Sequence, residues 1–420
     1  MQIFLTLAIF AITLVLVLLR PKQLSEAWFT VLGGACMLGF GLETPREAIG
    51  IVSEGKDALL FLVGLLLLAD LMRASGFFEW AAIHAARSAK GDCQALFRNV
   101  FILGAGVTAL MSLDTTAVML TPVVLSFVSR LNLKAKPFLF VCAFVANTGS
   151  LLLQVSNLTN LLFASAFGWG FGAFTMRMAL PQALGLVVNY LVFCWLFRSS
   201  LPGRFSEEAL PDPKNVVPHE GYFRASITVF FFVLIGYFVG SLIHVPPYVF
   251  ALSGSAVLFV VGICLGRVKI AIVREISWSV FPFVIGLFVV VRAMENLGLS
   301  GIVTRVLESG SHSKLQSVFV GVFGAGIGSN VVNNIPMALI SISSLRHGDD
   351  LTRYAALIGC NLGPNITIAG SLATMLVITS ARKQGENVRA LDFFKIGLKT
   401  TPLVLAAAAL GLLVTSALIR

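Results

Sequence analysis

The sequence predicts an all-α polytopic membrane protein: two inverted-topology repeats of five spans, each with a re-entrant hairpin and a broken helix. Three observations predict it. The 420 residues are 57% hydrophobic and only 12% charged, about half the charge fraction of a soluble domain. Apolar stretches of roughly 20 residues, enough to cross a bilayer, recur along the chain. Two of these stretches are interrupted at their centres, over residues 147–157 and 361–371, by amides, hydroxyls and glycines. Polar groups at membrane depth need protein or a water-filled cavity around them, and paired broken segments in two halves point to a transporter's substrate site.

Taken in order, the expected spans are 2–19, 26–42, 57–75, 137–167 and 176–198, then 226–243, 247–266, 275–293, 353–381 and 397–419. The first has no basic residue before it and no small-residue cleavage site after it, so it reads as a retained helix rather than a signal peptide. Regions 94–127 and 315–345 break at Ser112-Leu113-Asp114-Thr115-Thr116 and at Gly328-Ser329-Asn330 through Asn333-Asn334. Each half is short for a crossing, which predicts two re-entrant hairpins. The polar stretch with Pro202, Gly203, Pro211, Pro213 and Pro218 divides the chain near its midpoint. The expected organisation is an N-terminal repeat over 1–198, a cytoplasmic linker over 199–225 and a C-terminal repeat over 226–420.

Charge supports this order. With the N-terminus outside and ten spans, the inside loops carry 21 of the 30 basic residues, among them Arg20, Lys22, Arg73, Arg130, Arg204, Lys214, Arg274 and Arg382. That is the bias of a cytoplasmic face, and it accounts for the net charge of +10 without a nucleic-acid partner. Counting each hairpin as two crossings gives a twelve-span alternative, and both arrangements put the linker inside. The expected location is the bacterial cytoplasmic (inner) membrane, with the lipid bilayer as surroundings.

The halves resemble each other. Gly64 and Gly286, Asp70 and Arg292, Arg73 and Glu295, and Gly76 and Gly298 are each 222 apart. Pro122 and Pro336, Asn147 and Asn361, and Gly149 and Gly363 are each 214 apart. Five spans per half, an odd number, invert the second half, the arrangement that supports alternating access. The pairs Asp70–Arg73 and Arg292–Glu295 lie i, i+3 on one helix face, where they can neutralise each other. An ion-pathway role is the other reading of intramembrane charge.

Asp114 is the candidate for proton coupling, a carboxylate at the first hairpin turn, facing the first broken segment. It also suits a helix N-cap for the run 115–127, and the two roles are compatible. Around it stand Ser112, Thr115 and Thr116 as candidate substrate contacts. The first broken segment adds Asn147, Thr148, Ser150, Ser156 and Asn157. The second hairpin offers Asn330, Asn333 and Asn334 without a carboxylate, and the second segment Asn361, Gly363, Asn365, Thr367 and Ser371. Singly, such residues serve helix–helix hydrogen bonds; in symmetric positions they describe a site. Amides and hydroxyls without Arg or Lys suit a neutral polyhydroxylated solute.

Other chemistry is poorly supported. Gly50 through Gly55-Lys56 has the spacing of a phosphate-binding loop, but Asp57 stands where Ser or Thr is required and no strand precedes it, so the energy comes from an ion gradient or a partner. Six scattered cysteines form no CxxC or Cys/His cluster, so no disulfide framework, metal site or cofactor is expected. The five histidines, His312 among them, fall at or near span ends, and no paired-acid metal motif appears, so the chain is expected to be a secondary transporter rather than an enzyme.

Several stretches carry a family resemblance: Ser75-Gly-Phe-Phe-Glu-Trp-Ala-Ala82, Asp114 through Thr121-Pro122, Val155-Ser-Asn157, Asn333-Asn-Ile-Pro336, and Ile358 through Pro364 continuing to Gly370-Ser-Leu-Ala-Thr374. Spread over both halves, they resemble the ArsB-type arsenite/antimonite permeases of the ion transporter superfamily. The resemblance implies arsenical resistance by export of trivalent arsenite and antimonite from the cytoplasm, driven by proton influx. For some members it also implies a cytosolic arsenite-stimulated ATPase as partner. Arsenous acid is a small neutral triol, so the donor set agrees; arsenic is then substrate, not a resident metal. It is also thiophilic, which draws attention to Cys142 and Cys360, but a thiolate trap would hinder release and both read as packing residues. Some members have Asp at Asn147 and Asn361 and Lys at Asn365, so those positions cannot supply charge here and Asp114 carries more weight. The alternative is a sodium-coupled anion symporter or sodium/proton antiporter of the same superfamily.

Overall fold

The computed structural model describes residues 2–19, 24–201, 203–298, 300–308 and 313–418. Arg20, Lys22, Pro202 and His312, placed above in loops, the linker and a span end, lie outside the described residues. The regular elements among the described residues are helices. Their starts follow local chemistry. Asp92 accepts from the Ala95 amide at 2.6 Å to cap Cys93–Leu110, and Asp349 accepts from the Thr352 amide at 2.7 Å to cap Asp350–Leu362. Such caps satisfy amides that a helix start leaves without partners. Thr44 and Glu47 close a capping box on the short helix Pro45–Glu54, with Pro45 at its first position.

Among the described residues six helices are long and apolar enough to cross a membrane: Cys93–Leu110, Phe171–Ser200, Glu220–Leu242, Pro247–Cys264, Lys314–Val332 and Ala390–Leu418. Lys56–Ala74 bends by 62° into Phe77–Arg87 at Gly76, whose φ of +83° belongs to the left-handed region. Large apolar side chains such as Trp28, Trp195, Phe231 and Phe232 point outward, as a lipid-facing surface requires. One expectation changes here. The entering arms of both hairpins, Cys93–Leu110 and Lys314–Val332, are long enough to cross; only the return arm Asn334–Ser344 is clearly short. Cys93–Leu110 ends at the expected break, while Lys314–Val332 continues through Gly328-Ser329-Asn330, so the second break is confined to Asn333.

The order of elements recurs. Glu26–Gly39, Pro45–Glu54, Lys56–Ala74 and Phe77–Arg87 precede the first hairpin; Pro247–Cys264, Ile272–Glu275, Val280–Asn296 and Ser300–Glu308 precede the second. Packing is reciprocal, Glu26–Gly39 lying along Val280–Asn296 and Lys56–Ala74 along Pro247–Cys264. Gly64 and Gly286 explain the close approach. A Cβ on Gly64 would collide with the Ala251–Leu252 backbone, and one on Gly286 with the Thr30–Val31 backbone. Small residues let helix backbones meet where no hydrophobic force draws them together. The stretch after Phe171–Phe197 leans on Phe77–Arg87 and the turn that follows it: the Phe205 amide donates to the Gly91 carbonyl at 2.8 Å, and Arg87 donates to the carbonyls of Leu210 and Pro211.

Glu43 lies buried in the connection before Pro45–Glu54, accepting from Asn296 Nδ2 at 2.9 Å. Burial first, and Glu47 second, push its carboxyl from an ordinary 4.5 up to about 7. An acid raised on folding holds its proton more tightly in the folded state, so its contribution is fullest below the ordinary value and is lost as pH rises through about 7. The melting temperature of detergent-solubilised protein is therefore expected to fall from about pH 5 to about pH 8, and Glu43→Gln to remove part of that fall. Identical pH profiles for the two proteins would dismiss the assignment.

Candidate transport site

Both broken helices stop where the sequence turns polar. The first runs Ala135–Thr148 and resumes as Leu158–Phe167; the second runs Asp350–Leu362 and resumes as Leu372–Lys383. Residues between them, including Leu153, Asn157, Thr367 and Ser371, are extended, which interrupts the helical ladder and leaves part of the backbone there to find other partners. The side chains of the same segments supply some of those partners. Asn160 Nδ2 donates to the carbonyls of Ser150 and Leu153 at 2.7 and 2.9 Å, and Ser150 Oγ donates to the Asn147 carbonyl at 2.7 Å.

The two segments meet through one buried network. Asn147 Nδ2 donates to Asn365 Oδ1 and Thr374 Oγ1, both at 2.9 Å. On the other side Asn361 Oδ1 accepts from Asn157 Nδ2 at 3.1 Å and from the Thr159 hydroxyl, while Asn361 Nδ2 donates to Asn160 Oδ1 at 2.6 Å. Asn365 Nδ2 donates to Thr148 Oγ1 at 3.0 Å and to the Phe144 carbonyl. Asn160 and Thr374 are themselves 214 apart, so the contacts of Asn147 and Asn361 mirror each other. No charged side chain takes part in these bonds.

The second hairpin joins this network. Asn330 Nδ2 donates to the Gly363 carbonyl at 2.7 Å, and Asn330 Oδ1 accepts from the Thr367 amide and hydroxyl. Asn333 Nδ2 donates to the Ala369 carbonyl at 2.9 Å. Gly363 lies directly against the Gly326 backbone, where any side chain would collide. Several buried polar atoms around the crossing lack partners among the described residues: Asn147 Oδ1, Asn334 Oδ1, Ser371 Oγ and the hydroxyls of Thr400 and Thr401. The first hairpin touches the crossing through Ser156 Oγ, which donates to the Ala109 carbonyl at 2.6 Å.

Two expectations for Asp114 change. The N-cap is Ser112, whose Oγ accepts from the Thr115 amide at 3.1 Å; Asp114 sits one residue inside the helix start. Asp114 lines a cavity of about 260 Å³ with Asp70, Arg73, Glu275, Leu372 and Leu376, and that cavity is not lined by the first broken segment. Thr115 lines the same cavity, while Thr116 Oγ1 pairs with Thr108 Oγ1 at 2.7 Å. The local charge pairs form as expected: Arg73–Asp70 at 3.2 Å and Arg292–Glu295 at 3.3 Å. Arg73 also pairs with Glu275, 202 residues away, which the sequence did not suggest. A second cavity, of about 630 Å³, is lined by Gly55, Ala58, Leu162, Phe288, Arg292, Glu295, Arg346 and Arg353.

Asn160, Gln182 and Asn189 are further members that sequence reasoning missed. Gln182 Oε1 accepts from the Leu151 amide at 2.9 Å, and Asn189 Oδ1 accepts from the Thr148 hydroxyl at 3.2 Å. Amides inside the apolar run Phe171–Phe197 were the available signal. Cys142 and Cys360 are both fully buried, and Cys360 Sγ lies 3.9 Å from Ser341 Oγ.

Comparisons with known proteins agree with this architecture. The family model described as "Arsenical pump membrane protein" matches residues 5–415. An "Arsenical pump membrane protein" of Escherichia coli is 32% identical over 97% of this chain and 99% of its own length. One from Yersinia enterocolitica is 31% identical with the same coverage. The fold is similar to that of the YdaH transporter of Alcanivorax borkumensis, with a TM-score of 0.58, 14% identity, and coverage of 88% of this chain and 87% of that one. The chain therefore belongs to the arsenical pump membrane protein family and is a multi-pass protein of the bacterial inner membrane.

Proposed function

We propose that the chain exports trivalent arsenite, as neutral arsenous acid, and antimonite from the cytoplasm by proton antiport. Its two halves, 1–198 and 226–420, act as inverted repeats that alternate access around the crossing of the broken segments, and the linker 199–225 lies on the cytoplasmic side. The observation that carries this reading is the chemistry of the crossing. Asn147, Asn361 and Asn365 meet Asn157, Thr159 and Thr374 in a buried network without a cation, and polar atoms with unused hydrogen-bonding capacity surround it. A neutral triol can exchange its hydroxyls for those amide contacts without a countercharge, whereas a multiply charged anion would arrive unpaired.

The cavities supply the two approaches. In this conformation the amides bond to each other, so a substrate must part them from one cavity or the other, and rocking of one half against the other performs that step. Of the three carboxyls on the smaller cavity, Asp70 and Glu275 bond to Arg73, whereas Asp114 is held without a hydrogen-bond partner among the described residues, and it carries the proton. A proton taken up by Asp114 is released to the cytoplasm as the site returns to accept arsenous acid. The gradient, rather than nucleotide, drives the cycle, since the Gly50–Lys56 spacing sits on Pro45–Glu54 and its connection to the next helix and not after a strand.

Everted vesicles test the proposal. Arsenite uptake energised by respiration without ATP is expected to survive sodium removal and to collapse with a protonophore. A requirement for sodium would replace proton antiport with the sodium-coupled reading. A requirement for ATP would mean that a cytosolic ATPase partner, as in some members of the family, supplies the energy.

A further inference from the structure

The two cavities occupy repeat-related places yet carry opposite charge. Gly55 and Ser277, Ala58 and Val280, Asp70 and Arg292, and Arg73 and Glu295 are pairs 222 apart, one member lining each cavity; Leu162 and Leu376 are such a pair 214 apart. In the smaller cavity three carboxylates, Asp70, Asp114 and Glu275, face the single guanidinium of Arg73. In the larger one three guanidiniums, Arg292, Arg346 and Arg353, face the single carboxylate of Glu295; Arg353 also pairs with Asp350 at 3.0 Å. Arg73 is held between Asp70 and Glu275, so its charge is committed to them. The surplus carboxylates are not inherited from the repeat. Position 53, which corresponds to Glu275, is Ser, and position 328, which corresponds to Asp114, is Gly.

A narrow mouth lined by one sign of charge and walled by apolar helices concentrates the field of that charge. It repels anions of like sign and leaves neutral solutes unaffected. The basic loops put the smaller cavity toward the cytoplasm, where phosphate and arsenate, close in size to arsenous acid, compete for any hydroxyl-recognising path. We propose that Asp70 and Glu275, with Asp114 behind them, form an anion filter that keeps phosphate and arsenate out of the path of arsenous acid. The inference rests on the arsenite reading above and adds to it the residues that set selectivity.

Everted vesicles expose the cytoplasmic mouth. Arsenite uptake is measured against added inorganic phosphate for the wild type, Glu275→Lys and Ser277→Lys; the last adds charge to the mouth and leaves both partners of Arg73 in place. Without phosphate all three are expected to take up arsenite. Phosphate is expected to halve uptake by each variant at a concentration about tenfold lower than for the wild type, and Arg346→Glu at the other mouth to match the wild type. Thermal shift of the purified proteins reads the same step without transport: phosphate stabilises the two Lys variants and not the wild type. Intact arsenite uptake with unchanged phosphate response in both variants overturns the filter alone, as does an absent phosphate shift in both. Absence of arsenite uptake by the wild type overturns the transport reading, and the filter with it.

Discussion

Asp114→Asn is expected to lower gradient-driven arsenite uptake by everted vesicles by at least ~100-fold, the scale on which a positioned proton-transfer group acts. The substitution keeps shape and polarity and removes only the ability to titrate. Its structural cost is small for two reasons visible in the fold. Ser112, not Asp114, caps the helix start, so the Thr115 amide keeps its acceptor. The Asp114 carboxylate makes no hydrogen bond among the described residues, and what it loses is a favourable interaction with the helix N-terminus, about 0.3–1 kcal/mol. Expression and melting temperature should stay close to those of the wild type. Arsenite–arsenite exchange, which moves substrate in both directions without net proton flow, should persist. Full proton-coupled uptake by the mutant would remove Asp114 from the mechanism; loss of exchange as well would make it a binding residue.

Much of this fold is written in one-dimensional patterns. Ten apolar stretches and two polar turns appear as helices and breaks close to the expected places, because span length and the cost of polar groups in hydrocarbon are local properties. Gly64 and Gly286 stood out as a pair, and both turn out to sit where two helix backbones touch. What stayed hidden depends on rotation and on partners far along the chain. Placing the cap at Asp114 instead of Ser112 displaces the helix start by two residues, about 200° of helix rotation, enough to aim the carboxylate at a different neighbour. Which amide meets which was equally out of reach. Asn361 bonds Asn160, which lies within the apolar-rich run Leu158–Phe167, and Glu275 reaches Arg73 across the midpoint of the sequence. Hydrophobic pattern cannot rank such choices, since every candidate is one small polar residue in an apolar run.

The mirror relation between Asn147 and Asn361 is imperfect in a way that separates stability from transport. Asn361 spends its whole side chain on the other segment: Oδ1 accepts from Asn157 and Thr159, and Nδ2 donates to Asn160. Asn361→Leu strands two donors and an acceptor where water does not reach, each costing about 1–3 kcal/mol. The sum, roughly 3 kcal/mol or more, is a large part of an ordinary stability margin, so little folded protein and a sharply lower melting temperature are expected. Asn361→Asp keeps both acceptor contacts and recovers much of the loss only when protonated, since an ionised carboxylate cannot donate to Asn160 Oδ1. Asn147 donates through Nδ2 to Asn365 and Thr374, while its Oδ1 has no partner. Asn147→Leu strands one amide oxygen and a hydroxyl that can rotate toward another partner, a cost of about 1–2 kcal/mol. It also removes the acceptor free to receive a substrate hydroxyl. Asn147→Leu should therefore remain folded and lose arsenite uptake, whereas Asn361→Leu should fail before transport can be asked of it. Melting curves of both variants in detergent, with vesicle uptake normalised to folded protein, decide the matter. Equal destabilisation by the two substitutions would mean that the free Asn147 oxygen is held by the fold rather than kept for the substrate.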